Sequence, residues 1–473
     1  MTYRSPADEQ HRLSGAELRA AVLAFATNPI YLDGEHWEND DNPYRRQLRP
    51  QDLRYLDFTT PLRRDQVLRH ASLAAQRMLT CIYEADLVLL PQSELTPGTY
   101  EDFRSFYSSD NRARGEAIRP ALEAYAFAFL EDEVIISGAW NTESLEVFLR
   151  ELDGHDRNVL LATEKAIRHS DDPRRAARMW LIQRPPGLLS MASAMLGTVL
   201  GTLGEPDPEW SEIVIGRYGH GMHDAAHRTR YEHTLASVGL RQGLHHYWQY
   251  YLPGSLLMSN YFHYLGRNHE LFFRYLGALF HAESTLADFS ARAAALLTDV
   301  FDGAVDVKCF TEHAATEAGN GRTVLENLVL PVVQRCGPAV IPEILRGYQQ
   351  AQIVAELAEE DFVAQISWMD EGKANKRLYE RVYRAVLEAK VDVPVVRIAE
   401  PYGELSTTHS HQGDQLCHIV SGTMRFVSGF QSQQVLEAGE GIIIWRNRLH
   451  GAIIESDECV YELHSVGDYR TFL

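Results

Sequence analysis

Apolar residues recur at helical spacing through most of the chain and give way, after Val391, to short alternating runs. Near the start, Ser14-x-x-Glu17 has the spacing of a capping box ahead of Leu18, Val22 and Phe25, which fall near one face. Asn28-Pro29 ends that helix. A second amphipathic helix is predicted over 66–84, and 91–99 reads as a loop. This first third carries no constellation with obvious chemistry and reads as a helical packing or dimerisation module. From 131 to 364 the pattern stays helical and grows richer in aromatics and His. Candidate helices cover 144–152, 158–167, 173–182, 187–203, 211–238, 256–267, 269–298, 304–318, 324–336 and 342–359, and their short connections predict an all-α domain. One more helix over 376–389 reads as a linker.

The last stretch has a different texture. Runs at 395–398, 417–420, 423–427, 434–436, 441–445, 451–454 and 459–463 are of β type, separated by turn residues such as Ser421-Gly422 and Ala438-Gly439-Glu440. Such a segment makes a small β-barrel or jelly roll.

Composition narrows the function classes. At 473 residues, two to four domains are expected, each able to bury a core. Lys and Arg total 45 against 65 Asp and Glu, a net charge of −20, which argues against nucleic acid because that partner needs clustered cations. It does not exclude a cationic small substrate, which an acidic field would attract. The uncharged stretch 187–204 approaches the length of a membrane span, but four Gly and several Ser and Thr favour a buried helix, so no membrane is expected. Five Cys without a C-x-x-C spacing indicate neither a disulfide framework nor a thiolate zinc site, and point to a reducing, cytoplasmic setting.

One constellation stands out. Gly403 is followed by five residues and then His409-Ser410-His411; Gln415 and Gly422 come next, and later Gly439 precedes His450 by eleven positions. Residues i and i+2 of a strand point to one face. A third His from another strand then closes a three-imidazole site with open positions, suited to Fe(II), Zn, Ni or Mn. The spacing resembles the two motifs of the cupins, G-x5-H-x-H-x3-E-x6-G and G-x5-P-x-G-x2-H, with Gln415 at the usual Glu, and Trp445 and Asn447 at the usual Pro and Gly. Three neutral ligands leave a bound metal its full charge. A metal-free effector-binding cupin is the plainer alternative. His418 and His464 are expected in supporting or packing roles.

The central segment 217–227 (Arg-Tyr-Gly-His-Gly-Met-His-Asp-Ala-Ala-His) is also dense in ligand types. On one continuous helix, His220, Asp224 and His227 would share a face. His281, Glu283, His313 and Glu317 follow, and inward-facing His and Glu on several helices can build a di-iron site. His-rich helices are equally often satisfied core or rim.

A helical N-terminal module, a central all-α domain and a C-terminal cupin at this length resemble the family of N-nitrosourea-forming multidomain metalloenzymes. The resemblance implies a multidomain α + β chain: a helical dimerisation module (1–130), a haem-oxygenase-like bundle (131–372), a linker helix (373–390) and a cupin barrel (391–473). It implies a homodimer, a di-iron centre that hydroxylates guanidine nitrogens of a methylated arginine, and a cupin iron that forms the N–N bond with O₂ as co-substrate. Carried over residue by residue, the di-iron ligand positions fall on Met191, Arg217, His227, Glu283, His313, Glu317 and Asn320. Met191, Arg217 and Asn320 are lost ligands, and Arg217 is a permanent cation where a bridging Glu belongs. Arg217 would instead pair with Glu283 or Glu317. The cupin ligands His409, His411 and His450 all match.

The resulting expectation is an enzyme whose cupin Fe(II) rearranges an already N-hydroxylated arginine derivative, supplied by a separate arginine N-hydroxylase, while the central domain holds no di-iron. A single residual metal on His227, Glu283, His313 and Glu317 is a lesser reading, and His220, His223 or Asp224 could rebuild a site by a different alignment. Two competitors remain: a bifunctional enzyme that also hydroxylates (methyl)arginine centrally, and a non-catalytic cupin sensor or scaffold for a partner oxygenase.

Overall fold

A computed structural model describes residues 13–32, 41–153, 160–184, 201–316, 320–388 and 393–473, with positions 187 and 195. Most of the predicted helix 187–203 and the positions Met191 and Glu317 lie outside these residues.

Among the described residues, the regular elements from Gly15 to Glu388 are helical and strands follow. The opening helix, Gly15–Ala26, starts as its pattern predicts: Ser14 and Glu17 form the reciprocal capping box, and Leu18, Val22 and Phe25 are buried. Its core runs without a break into the central helices and touches Val427, Phe430 and Leu449 of the barrel. Two long helices, Phe272–Val300 and Ile341–Asp370, form the spine. They approach closely because Gly277 and Gly347 lie against the partner backbone, where a Cβ would come within 2.0 Å of a carbonyl oxygen. Among the described residues no single helix is long and apolar enough to cross a membrane.

The predicted helix over 211–238 is two helices, Asp207–Arg217 and His227–Ser237, joined by short 3-10 turns. The cause is local. Gly219, His220 and Gly221 all take positive φ (65°, 51° and 82°), and a Cβ on Gly219 would sit 2.4 Å from the Ala226 nitrogen. His220, Asp224 and His227 therefore share no helical face, and His220, His223 and Asp224 are exposed.

Eight strands form the C-terminal barrel: β1 Val395–Pro401, β2 Leu405–His409, β3 Asp414–Ser421, β4 Thr423–Gly429, β5 Ser432–Glu437, β6 Gly441–Ile444, β7 His450–Ile454 and β8 Glu458–Gly467. They pair antiparallel in two sheets, β1-β8-β3-β6 and β2-β7-β4-β5, the jelly-roll order. Cys417, Ile419, Phe426, Ile442 and Ile444 fill the interior with Trp368. The helix expected as a linker, Gly372–Glu388, packs on the outside of the barrel through Tyr379, Val382 and Val386, against Leu416 and Ile443.

Candidate metal centre

The register of β2 on β7 sets His409 directly opposite His450. Directly opposed residues of antiparallel strands share a face, so the two rings meet with centroids 4.5 Å apart. His411 lies just past the end of β2, with its ring 4.9 Å from each of the others. One ligand atom from each of the three lies within 4.8 Å of the other two, and among the described residues this is the one group of three or more His, Cys, Asp or Glu that could hold a metal ion.

The proton positions follow from the acceptors. His409 Nδ1 lies 2.9 Å from the Thr407 carbonyl oxygen, and His450 Nδ1 lies 2.9 Å from that of Arg448. A carbonyl only accepts, so both Nδ1 atoms carry hydrogen and both Nε2 lone pairs are free for a metal. Burial first, then neighbouring imidazoles and Arg49, pushes the His409 and His450 pKa values well down. Burial, His70 and Arg49 bring His411 to about 4. Three neutral imidazoles with converging lone pairs and no carboxylate fit a divalent first-row ion with open positions.

Gln415 sits on β3, alternating with Cys417 and Ile419, and its Oε1 is buried without a hydrogen-bond partner. Asn447 takes φ 59°, the left-handed conformation that the motif's Gly would adopt, and its amide donates to the His411 carbonyl at 2.7 Å. His418 and His464 face outward, around Tyr383 of the packed helix, and support that contact rather than the metal ligands.

Sequence reasoning missed the N-terminal module's share of this site. Arg49 donates to the Thr407 carbonyl and hydroxyl oxygens, both at 2.8 Å. Its Nε pairs with Asp52, and His70 lies beside Asp52 with its ring edge-on to His409 at 6.2 Å. Arg77, buried, donates to the Thr408 carbonyl at 2.9 Å. These partners stand more than 300 positions apart in the chain, beyond any local pattern.

The central cluster is built differently. Arg217 and Glu283 form a buried ion pair, with side chains 7% and 1% exposed. Arg217 Nη1 lies 3.4 Å from His227 Nδ1. His227 and His313 rings are 4.0 Å apart, and burial with neighbouring cations drives them to about 2 and about 3, so both are neutral. His313 Nε2 is buried with no hydrogen-bond partner. His281 packs on Tyr348 instead. Asn320 opens a short helix, Asn320–Val324. The Arg217 guanidinium, a permanent cation, thus engages the Glu283 carboxylate at the centre of this cluster.

Residues 178–355 match the family described as iron-containing redox enzymes. An RmlC-like cupin from Shewanella frigidimarina NCIMB 400 is 22% identical over 16% of this chain and 68% of its own, with a TM-score of 0.14. Over 461 residues, covering 98% of both chains, the protein is 56% identical to nitrosourea synthase of Streptomyces achromogenes subsp. streptozoticus. With a haem-oxygenase-like helical bundle, a C-terminal cupin barrel and that identity along its whole length, this chain belongs to the nitrosourea synthase family of iron-containing oxidative enzymes.

Proposed function

We propose that the chain is a mononuclear iron enzyme whose cupin forms an N–N bond by O₂-dependent oxidative rearrangement of an N-hydroxylated arginine-type guanidine. The product carries an N-nitroso or diazeniumdiolate group, in line with the name of its 56% identical relative. One contrast supports the reading: a complete imidazole triad in the barrel beside an arginine-filled cluster in the helices. Fe(II) bound at the triad supplies a redox-active centre with positions open to O₂ and substrate.

The chain's own residues do the rest. His409 and His450, with their Nδ1 protons committed to carbonyls, hold their Nε2 atoms toward the ion. Phe426 stacks on the His450 ring and Trp368 meets it edge-on, so aromatic rings flank that imidazole. Arg217 keeps the Glu283 charge compensated without metal, so the central domain takes no di-iron and a separate arginine N-hydroxylase supplies the substrate. The net charge of −20 draws in a cationic guanidine. Free Cys, one of them the exposed Cys336, suits a reducing cytoplasm. The N-terminal helical module (1–130) exposes Val88, Leu90 and Tyr100, apolar surface that suits a homodimer.

The test is product analysis. Fe(II)-loaded protein given O₂ should convert N-hydroxylated arginine to an N–N product and leave plain methylarginine untouched, and His450→Ala should abolish conversion. Hydroxylation of plain methylarginine would place activity in the central domain. No O₂ uptake with any N-hydroxyguanidine would favour the sensor or scaffold. A second reading keeps one central metal on His227, Glu283, His313 and Glu317; the close His227–His313 rings and the unpartnered His313 Nε2 favour it.

A further inference from the structure

We propose that the helical part of the chain sets the geometry of the cupin's metal ligands, with Arg49 and Gln365 as positioning residues that act through the peptide groups next to His409 and His450. The inference rests on the reading that the triad binds a metal.

The Thr407 carbonyl has two lone pairs. One accepts the His409 Nδ1 proton at 2.9 Å, and Arg49 Nη1 donates to the same oxygen at 2.8 Å. The group that fixes the tautomer and the ring of the first ligand is therefore itself held by the N-terminal module. Arg49 is held in turn: its Nε pairs with Asp52, and its backbone takes the left-handed region (φ 52°) that non-glycine residues rarely adopt. Strain of this kind persists only where the surroundings over-determine it. Arg77 grips the next peptide, donating to the Thr408 carbonyl at 2.9 Å and the Thr408 hydroxyl at 2.8 Å.

The second strand is held from the other side. His450 Nδ1 donates to the Arg448 carbonyl, and the buried Arg448 guanidinium binds Asp361 through its carbonyl and carboxylate at 3.0 and 3.2 Å. Gln365, one turn along the same helix, accepts from the Leu449 amide at 3.0 Å and donates to the Leu449 carbonyl at 2.9 Å. Asp361 and Gln365 are both fully buried. Their helix, Ile341–Asp370, packs along Phe272–Val300, which carries Glu283. The bundle that holds the buried Arg217–Glu283 pair thus also shapes the cupin centre.

The full chain loaded with Co(II) tests this, because cobalt reports ligand geometry in its visible absorption without any turnover. Affinity comes from competition with a chelator. Arg49→Met should weaken Co(II) binding about tenfold, the scale on which lost supporting hydrogen bonds act, and alter the visible band. Arg49→Lys, which keeps a donor, should recover part of both. Gln365→Glu should repeat the effect from the other strand. Arg49 is partly exposed, so its variants remain informative if Gln365→Glu does not fold. Apo unfolding midpoints of the Arg49 variants should stay near the parent's. Wild-type affinity and spectrum in Arg49→Met would overturn the proposal. A parent chain that binds no cobalt would instead overturn the metal reading on which it rests.

Discussion

Arg217 and Glu283 form a buried ion pair that ties the Asp207–Arg217 helix to the Phe272–Val300 helix. The guanidinium also reaches His227, so a fixed cation sits among side chains of metal-ligand type. Removing one member of a buried pair leaves a charge in low dielectric. Arg217→Met should therefore destabilise the chain by about 3 kcal/mol, read as a lower midpoint in urea unfolding. A midpoint equal to the parent's would show that the pair compensates nothing.

The barrel makes the opposite prediction. His450→Ala removes the imidazole that faces His409 across the β2–β7 pair. Iron content should fall from about one per chain to near zero, because two imidazoles hold a borderline divalent ion poorly. Unfolding of the helical part should change little. Full iron retention would mean the metal sits elsewhere.

Gln415 offers a test of donor count. Its buried Oε1 has no hydrogen-bond partner, and it occupies the motif's Glu position. Gln415→Glu should tighten iron binding by about tenfold, since a carboxylate neutralises charge that three imidazoles leave in place. Unchanged affinity would place the Gln415 side chain outside the metal's reach.

A pH prediction comes from the core. Glu84 accepts from His245 Nε2 at 2.6 Å and pairs with Arg46 at 2.8 Å, all three fully buried. Burial works against the Glu84 charge, but attraction to His245 and Arg46 outweighs it and holds the carboxyl at about 2, below its ordinary 4.5. A depressed carboxyl stabilises the fold above its unfolded pKa and loses that contribution as pH falls through the folded value. Stability should drop between about pH 4.5 and pH 2, and Glu84→Gln should flatten that limb of the profile. A wild-type slope in Glu84→Gln would assign the loss to other groups.

How far the sequence reaches depends on the range of the signal. The triad was legible because strand alternation and the spacing of His409, His411 and His450 are local patterns. So was the pairing of Arg217 with Glu283. The break at Gly219 was not, because period-3.6 positions continue on both sides and only the close approach of Ala226 shows why the chain must turn. The N-terminal module looked inert because Arg49 and Arg77 find their partners in Thr407 and Thr408, a relationship that folding alone creates.

Iron is expected in the cupin and not in the helical bundle. Crystals grown anaerobically with Fe(II) and measured at the iron absorption edge test it most directly. One anomalous peak is expected, among His409, His411 and His450, with Arg217 still on Glu283. A peak beside His227, Glu283 and His313, or an empty triad, would contradict it.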